Sequence, residues 1–580
     1  MESSQIDNLF DRIKELMPVN RDFIDEFINA VSGIPRVTIV YGAPGAGKTT
    51  NLVNMIRKRE VPKPILVLAF NNSTQHWFEN KLGAEGCVSV RTIDSVAVSH
   101  VGFRNMLNIG GDIERAIEAL RRKVSSLFNI PYSNDPYKLE EGNELFGLFD
   151  YVVNKAGRGG IDAVISVLSK AAPVYSAVLD TYIKCLEGKL RLRNPKKGEV
   201  FDCKPRYDFT LARLKLLGSL VPNVRVGRED CGTPRTLIVD EFQDMSPLML
   251  GILGRWLQSG DIEHFVVAGD FDQLIYRSLH HADLEVPRWL YQQAKVRAGW
   301  RVVELSYSHR VAKPLDSLAI TFLNTFDKDP SPWRRWSGNK DKFGVLYIKP
   351  LPLALFEIAQ EVEQKEDLRW GKTSYAVLAP TNEGVLRIST ALMTLGVLPH
   401  FLKGYPSAVA DYIEIVKRVV NKELGSDELE ALDDDSKNII YGILRYVNLR
   451  ARDYAVRSIV YHLTSEREVS DSDVMKYVVE NELKPKNLVY SENPNAPLFV
   501  DTVYTAKGLE FDRVYIANFT LKNSRVPRDK WGARLFYVAL TRSRGSVVIM
   551  TSNNKGDSEW FPTKVIAELA RNLGVEVIVE

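Results

Sequence analysis

The sequence predicts an α/β protein with parallel sheets in two domains, each domain interrupted by a mainly helical insertion. Three observations predict it. Short β-rich apolar runs alternate with amphipathic helical stretches at both ends of the chain, which is the pattern of strand-helix-strand units. Two long stretches, about 99–230 and about 423–486, lack that rhythm and read as helices joined by polar loops. The chain has 580 residues, more than one hydrophobic core sustains.

The runs sort into two sets. RVTIVYG (Arg36 to Gly42), PILVLAF ending at Phe70, TLIVDE ending at Glu241 and HFVVAGD ending at Asp270 fit one sheet. WRVVEL ending at Leu305, GVLYIKP from Gly344, YAVLAP ending at Pro380, RVYIANF from Arg513 and SVVIMTS from Ser546 fit a second. The expected first domain spans 1–98 and 231–296 around the insertion 99–230. The second spans 297–422 and 487–580 around the smaller insertion 423–486. No internal repeat is legible, and the last strand-helix unit leaves no room for an appended domain before Glu580.

Apolar residues make up 45% of the chain and charged residues 26%, as in ordinary soluble domains. No apolar run approaches the roughly 20 residues needed to span a bilayer, and the amino terminus lacks a basic segment followed by an apolar one. These features predict an intracellular protein with no membrane partner. The net charge of +3 excludes a general polycation, so any nucleic-acid footprint must be local. Cys87, Cys185, Cys203 and Cys231 show no metal-ligand spacing and read as free thiols.

Gly42, Ala43, Pro44, Gly45, Ala46, Gly47, Lys48 and Thr49, followed by Thr50, form a P-loop pattern directly after a strand and before a helix-forming segment. Glycines let backbone N–H groups turn inward around phosphate, Lys48 suits the outer phosphates of ATP, and the Thr49 hydroxyl suits Mg²⁺. Asp240 and Glu241 close an apolar strand. A carboxylate there can hold the Mg²⁺ shell with Thr49, and a second can activate the attacking water. Asp240 takes the first part and Glu241 the second. These two motifs alone describe a nucleotide hydrolase.

Further motifs carry a more specific resemblance. DEFQD at Asp240 to Asp244, GDFDQ at Gly269 to Gln273 with Ile275 and Tyr276, Leu305 to Arg310, TVYTAKGLEF at Thr502 to Phe511 and YVALTR at Tyr537 to Arg542 resemble, in order, motifs of superfamily 1 helicases of the UvrD/Rep group. The resemblance implies two RecA-like motor domains. Gln273 would sense the terminal phosphate, Arg310 would meet the γ-phosphate, Glu510 would contact the ribose, and Arg542 would be the arginine finger. It also implies nucleic-acid contacts at Phe70, Asn71, Thr92, Tyr504 and Thr505. Its partners would be single-stranded and tailed duplex DNA, with RNA also admitted, in the cytoplasm or at the nucleoid. The branch it resembles moves 3′ to 5′.

Physical logic agrees with that reading. If arginines of one domain complete the site of another, hydrolysis follows closure, and repeated closure moves two grips along a strand. The rivals are a translocase or RNA-remodelling ATPase that does not open duplexes, and a nucleotide-gated binding module with negligible turnover. The chain also departs from the family pattern. His309 stands where an adenine-stacking aromatic is usual, Ser278 where a base-stacking tryptophan is usual (with His280 and His281 nearby), and Tyr504 replaces a common histidine. No glutamine motif precedes the P-loop. Lys189, Arg191, Arg193, Lys196, Lys197, Lys204 and Arg206, interleaved with Phe201, Tyr207 and Phe209, fit either a strand-tracking groove or a solvated loop.

Overall fold

A computed structural model describes residues 21–101, 191–193, 200–202, 231–258, 261–275, 284–328, 334–364, 373–401, 407–453, 456, 459–460, 469–483, 498–517, 530–551 and 563–579. Those up to Leu305 form one compact unit and those from Ser306 a second, with Ala43–Ala46 grouped with the second.

The first unit is a six-stranded sheet. Its strands are β1 (Arg36–Gly42), β2 (Ile65–Ala69), β3 (Val88–Thr92), β6 (Thr236–Val239), β7 (His264–Gly269) and β8 (Trp300–Leu305). Between β3 and β6 a short antiparallel pair, β4 (Arg191–Arg193) and β5 (Val200–Asp202), lies in the first insertion. The order across the sheet is β3-β2-β6-β7-β1-β8, and every pairing is parallel. β1, β2, β6 and β7 are almost wholly buried. That is what apolar runs without alternation produce when helices cover both faces.

The second unit repeats the architecture. β11 (Val345–Pro350), β12 (Tyr375–Ala379), β13 (Leu498–Thr502), β14 (Phe511–Ile516), β15 (Ser543–Thr551) and β16 (Glu576–Val579) form an all-parallel sheet ordered β13-β12-β14-β15-β11-β16. Beside it pair β9 (Tyr307–Lys313) and β10 (Ser337–Phe343). The second insertion is helical where described: Ser426–Glu430, Asp434–Ala451 and Asp471–Tyr477, the last running into a π-helical turn. Ile439, Ile440, Ile443 and Val447 place an apolar stripe at helical spacing in the same core as Val377, Leu386 and Leu392. The insertion is thus packed into the second unit's own core.

Three expectations require correction. WRVVEL does not join the second sheet. As β8 it pairs with β1 from Val37↔Trp300 to Gly42↔Leu305, so the boundary falls after Leu305 and not at 296/297. β8 is an edge strand with partly exposed residues, and an apolar run does not encode which sheet it will edge. The first insertion, read as helical, contains the β4–β5 pair among its described residues. Cys87 and Cys231 are not free thiols: they form a disulfide with a Cα–Cα distance of 5.4 Å. Cys87 lies just before β3 and Cys231 just before β6. At a sequence separation of 144, only the parallel packing of β3 and β6 on β2 brings them together. Among the described residues, no helix is long and apolar enough to cross a membrane.

Candidate active site

Parallel strands put all their carboxyl ends on one edge, where loops converge. In the first unit that edge receives the P-loop after β1, Phe70 and Asn71 after β2, Thr92 at the end of β3, Asp240 and Glu241 after β6, and Asp270 after β7.

The P-loop folds as its glycines require. Gly45 and Gly47 have φ of +69° and +81°, the left-handed region that side chains disfavour. Gly47 caps the helix Lys48–Arg57, and the Ala46 N–H donates to the Ala43 carbonyl at 3.1 Å. Gly42, Ala43, Pro44 and Ala46 are buried, whereas Gly47 and Thr50 are exposed. A helix start with glycine-turned backbone is a ready anion cradle. Lys48, on the first turn, is buried, and its Nζ donates to the Gly42 carbonyl at 3.0 Å.

Thr49 and Asp240 come together: the Thr49 hydroxyl donates to Asp240 Oδ2 at 3.0 Å. Asp240 is buried and Oδ1 accepts the Glu241 N–H at 3.0 Å. Burial first, then the neighbouring Glu241 charge, pushes its carboxyl up to about 7 against the pull of Thr49 and Lys48. A buried carboxylate short of positive charge, with a hydroxyl beside it, fits Mg²⁺. That ion takes one or two protein oxygens and completes its shell from phosphate and water. Thr49 and Asp240 would hold it, and it would neutralise phosphate charge. The described residues contain no group of three or more His, Cys, Asp or Glu able to hold a metal.

Glu241 adopts φ 53°, ψ 42°, a left-handed conformation that costs a non-glycine residue about 1 kcal/mol or more. It turns the chain out of β6 into the 3₁₀ turn Phe242–Asp244. Gln243, buried on that turn, donates from Nε2 to Glu241 Oε2 at 2.5 Å. Gly269, at the end of β7, has no room for a side chain, since a Cβ there would lie 2.3 Å from Gln243 Oε1. Beyond it, Asp270 accepts from Gln273 Nε2 at 2.8 Å and from the Asp272 N–H at 3.1 Å. Burial pushes Asp270 up to about 6 despite the Lys48 charge.

The expected nucleic-acid contacts have local work to do. Asn71 Oδ1 caps the helix Asn72–Leu82 by accepting the Thr74 N–H at 2.9 Å. Thr92 is buried and exchanges hydrogen bonds with Ser95, its Oγ1 accepting the Ser95 N–H at 3.0 Å. Phe70 is half-buried.

In the second unit, Tyr504 and Thr505 sit half-buried in the turn after β13. The hydroxyls of Thr502 and Thr505 meet at 2.9 Å. Arg310 on β9 donates from Nε to Glu510 Oε2 at 2.8 Å. Arg542 is fully buried at the start of β15's approach, with Nε donating to the Val538 carbonyl at 3.1 Å and Nη1 to the Leu509 carbonyl at 3.3 Å. His309 is exposed and meets Tyr307 edge-to-face, ring centroids 5.0 Å apart.

Sequence reasoning missed Gln243, Asp270 and Arg544, the last of which donates from Nη2 to Glu510 Oε1 at 2.9 Å. The first two were visible inside DEFQD and GDFDQ. Arg544 carried no signal beyond being a second arginine after YVALTR. Tyr276, Ser278, His280 and His281, and Lys189, Lys196, Lys197, Lys204, Arg206, Tyr207 and Phe209, lie outside the described residues.

Comparison with known families agrees with this layout. Residues 28–279 match a family model described as an AAA domain, and residues 497–550 match one described as a UvrD-like helicase C-terminal domain. The first match contains the P-loop, DEFQD and GDFDQ, and the second contains TVYTAKGLEF and YVALTR. No curated protein matches the chain at a significant level.

Proposed function

The chain belongs to the UvrD/Rep-like helicases of superfamily 1, and on that footing we propose that it is an ATP-driven motor that tracks along single-stranded DNA 3′ to 5′ and opens the duplex ahead. The family supports a helicase-type ATPase acting on nucleic acid. The direction, the preference for DNA and the unwinding are our reading.

One observation carries the hydrolytic part: Thr49 bonded to a buried Asp240 beneath a P-loop, with Glu241 turned out of the same strand. In this reading Lys48 and the P-loop N–H groups bind the phosphates. Asp240 and Thr49 hold Mg²⁺. Glu241, oriented by Gln243, takes a proton from the attacking water. Gln273, held by Asp270, responds to the terminal phosphate. Arg310 and Arg542 stabilise charge on the transferred phosphoryl group, and Glu510 meets the ribose. Phe70, Asn71, Thr92, Tyr504 and Thr505 are the proposed strand contacts.

The test is unwinding of 3′-tailed and 5′-tailed duplexes, in DNA and in RNA, at one salt concentration, alongside ATP turnover with and without single strands. Faster unwinding of 3′-tailed DNA and turnover stimulated by single strands are expected. Stimulated turnover without strand separation would leave a translocase, and equal or better activity on 5′ tails would overturn the direction.

A further inference from the structure

Glu510 carries two arginines. Arg310 Nε donates to Oε2 at 2.8 Å, while Arg544 donates to Oε1 from Nε at 3.1 Å and from Nη2 at 2.9 Å. Arg544 is also tethered at its far end. Its Nη1 reaches Asp512 Oδ1 at 3.3 Å, and Asp512 Oδ2 accepts the N–H and hydroxyl of Ser374 at 2.9 and 3.2 Å. Asp512 rides on β14 and Arg544 on the neighbouring β15. Arg544 therefore stands beside Asp512 on the neighbouring strand and Glu510 just before that strand, at the irregular start of the β14–β15 pairing.

The arrangement is asymmetric. Oε1 is held by an arginine that is anchored by a second carboxylate and, through it, by a backbone N–H. Oε2 is held by Arg310, the residue assigned above to phosphate. If Arg310 turns to phosphate, Oε2 becomes an acceptor for one hydroxyl hydrogen, such as a ribose offers, but only while Oε1 keeps the carboxylate in place. A lone glutamate would otherwise follow the departing guanidinium or turn into solvent, since its side chain is 41% exposed.

We propose that Arg544 is a positioning residue for nucleotide recognition: it holds Glu510 through Oε1 so that Oε2 can accept a ribose hydroxyl when Arg310 engages phosphate. The inference rests on the reading of Arg310 and Glu510 given above and adds Arg544 to it.

The test is equilibrium binding of ATP and of 2′,3′-dideoxy-ATP, which lacks both ribose hydroxyls, to the full chain and its Arg544→Ala, Arg544→Gln and Arg544→Lys variants. Hydrolysis is measured separately. A hydrogen bond to a charged acceptor is worth about tenfold in affinity, so the unaltered chain should prefer ATP by about that factor. Arg544→Ala should weaken ATP, leave the dideoxy nucleotide nearly as before, and so shrink the preference to within about twofold. Arg544→Lys, which keeps the charge, should restore part of it, and Arg544→Gln should fall between; these two decide the matter if the alanine variant does not fold. Equal weakening of both nucleotides would mark a merely structural residue and overturn the proposal. So would an undiminished preference, or no preference in the unaltered chain. Failure to hydrolyse ATP with the preference and its loss both intact would instead sink the motor reading and support the role of Arg544.

Discussion

The Thr49 hydroxyl and the Asp240 carboxylate, 191 residues apart in sequence, meet at 3.0 Å. One stands on the first turn of the helix after the P-loop and the other at the end of β6. Both oxygens belong to the proposed Mg²⁺ shell, so losing either should raise the metal requirement before it harms ATP binding. Thr49→Val is expected to raise the half-saturating Mg²⁺ for hydrolysis roughly tenfold, with activity recovering at high Mg²⁺. Asp240→Asn should be worse, because it removes the charge. A Mg²⁺ titration of turnover checks both, and unchanged half-saturation in both variants would remove this pair from the metal site.

Gly269 and Gln243 predict a steric route to the catalytic carboxylate. A methyl group at position 269 would stand 2.3 Å from Gln243 Oε1. Gln243 is buried and must shift, taking with it the amide that holds Glu241. Gly269→Ala should lower kcat by about 10- to 100-fold, the scale of an ångström-sized misplacement, with little change in KM. Gln243→Ala should do the same, and the double variant should be no worse than either alone. Additive losses would separate Gly269 from Glu241.

The sequence exposed the site better than the frame that holds it. P-loop, DEFQD and GDFDQ are contiguous strings whose spacing is dictated by chemistry, and the fold sets the Thr49 hydroxyl against Asp240. What stayed hidden was tertiary. WRVVEL has the same composition whether it edges one sheet or the other. The disulfide joins Cys87 and Cys231 only because β3 and β6 flank β2. Arg544 gains its meaning from the placement of β15 beside β14. β3, β13 and β16 are short runs that lie outside the expected strand sets.

Arg310 and Arg542 share a proposed role but differ in setting. Arginines acting on a transferred phosphoryl group are worth about 10³ to 10⁵ in rate, so alanine at either position should lower kcat far more than it raises KM. Their stabilities should diverge. Arg542 is fully buried and satisfies the Val538 and Leu509 carbonyls. Removing it takes the Nη1 donor from the Leu509 carbonyl, at about 1 to 3 kcal/mol, while the Val538 carbonyl keeps the Thr541 hydroxyl at 3.1 Å. Arg310, its side chain 10% exposed, pairs with a carboxylate that is 41% exposed, so solvent screens the pair in part and it contributes about 1 kcal/mol. Thermal unfolding should therefore move clearly for Arg542→Ala and little for Arg310→Ala. The reverse order would contradict the burial argument, and KM effects with kcat preserved would reassign both to ground-state binding.

His264, at the start of β7, predicts how the first unit responds to acid. It is buried, and Nε2 lies 2.9 Å from the Thr38 hydroxyl on β1. Burial, with the charges of Arg301 and Arg36, pushes its imidazole down to about 4 from an ordinary 6.5. A folded-state value below the unfolded one means that the unfolded chain takes the proton first. The contribution to stability is then complete above pH 6.5 and is lost as pH falls toward 4. At pH 5 the loss is on the order of 2 kcal/mol. Asp270 and Asp240 run the other way, because burial raises them to about 6 and about 7. Their folded forms take protons first, which favours the fold as pH falls through the same range. The unaltered protein alone therefore cannot isolate His264. His264→Gln keeps a polar group within reach of Thr38 and removes the titration, so the informative quantity is its stability relative to the unaltered protein. Denaturant unfolding at pH 7 should favour the histidine or show near parity, and at pH 5 the balance should shift toward glutamine by that same 2 kcal/mol or so. A difference that does not move between the two pH values would mean that His264 titrates alike in the folded and unfolded chains.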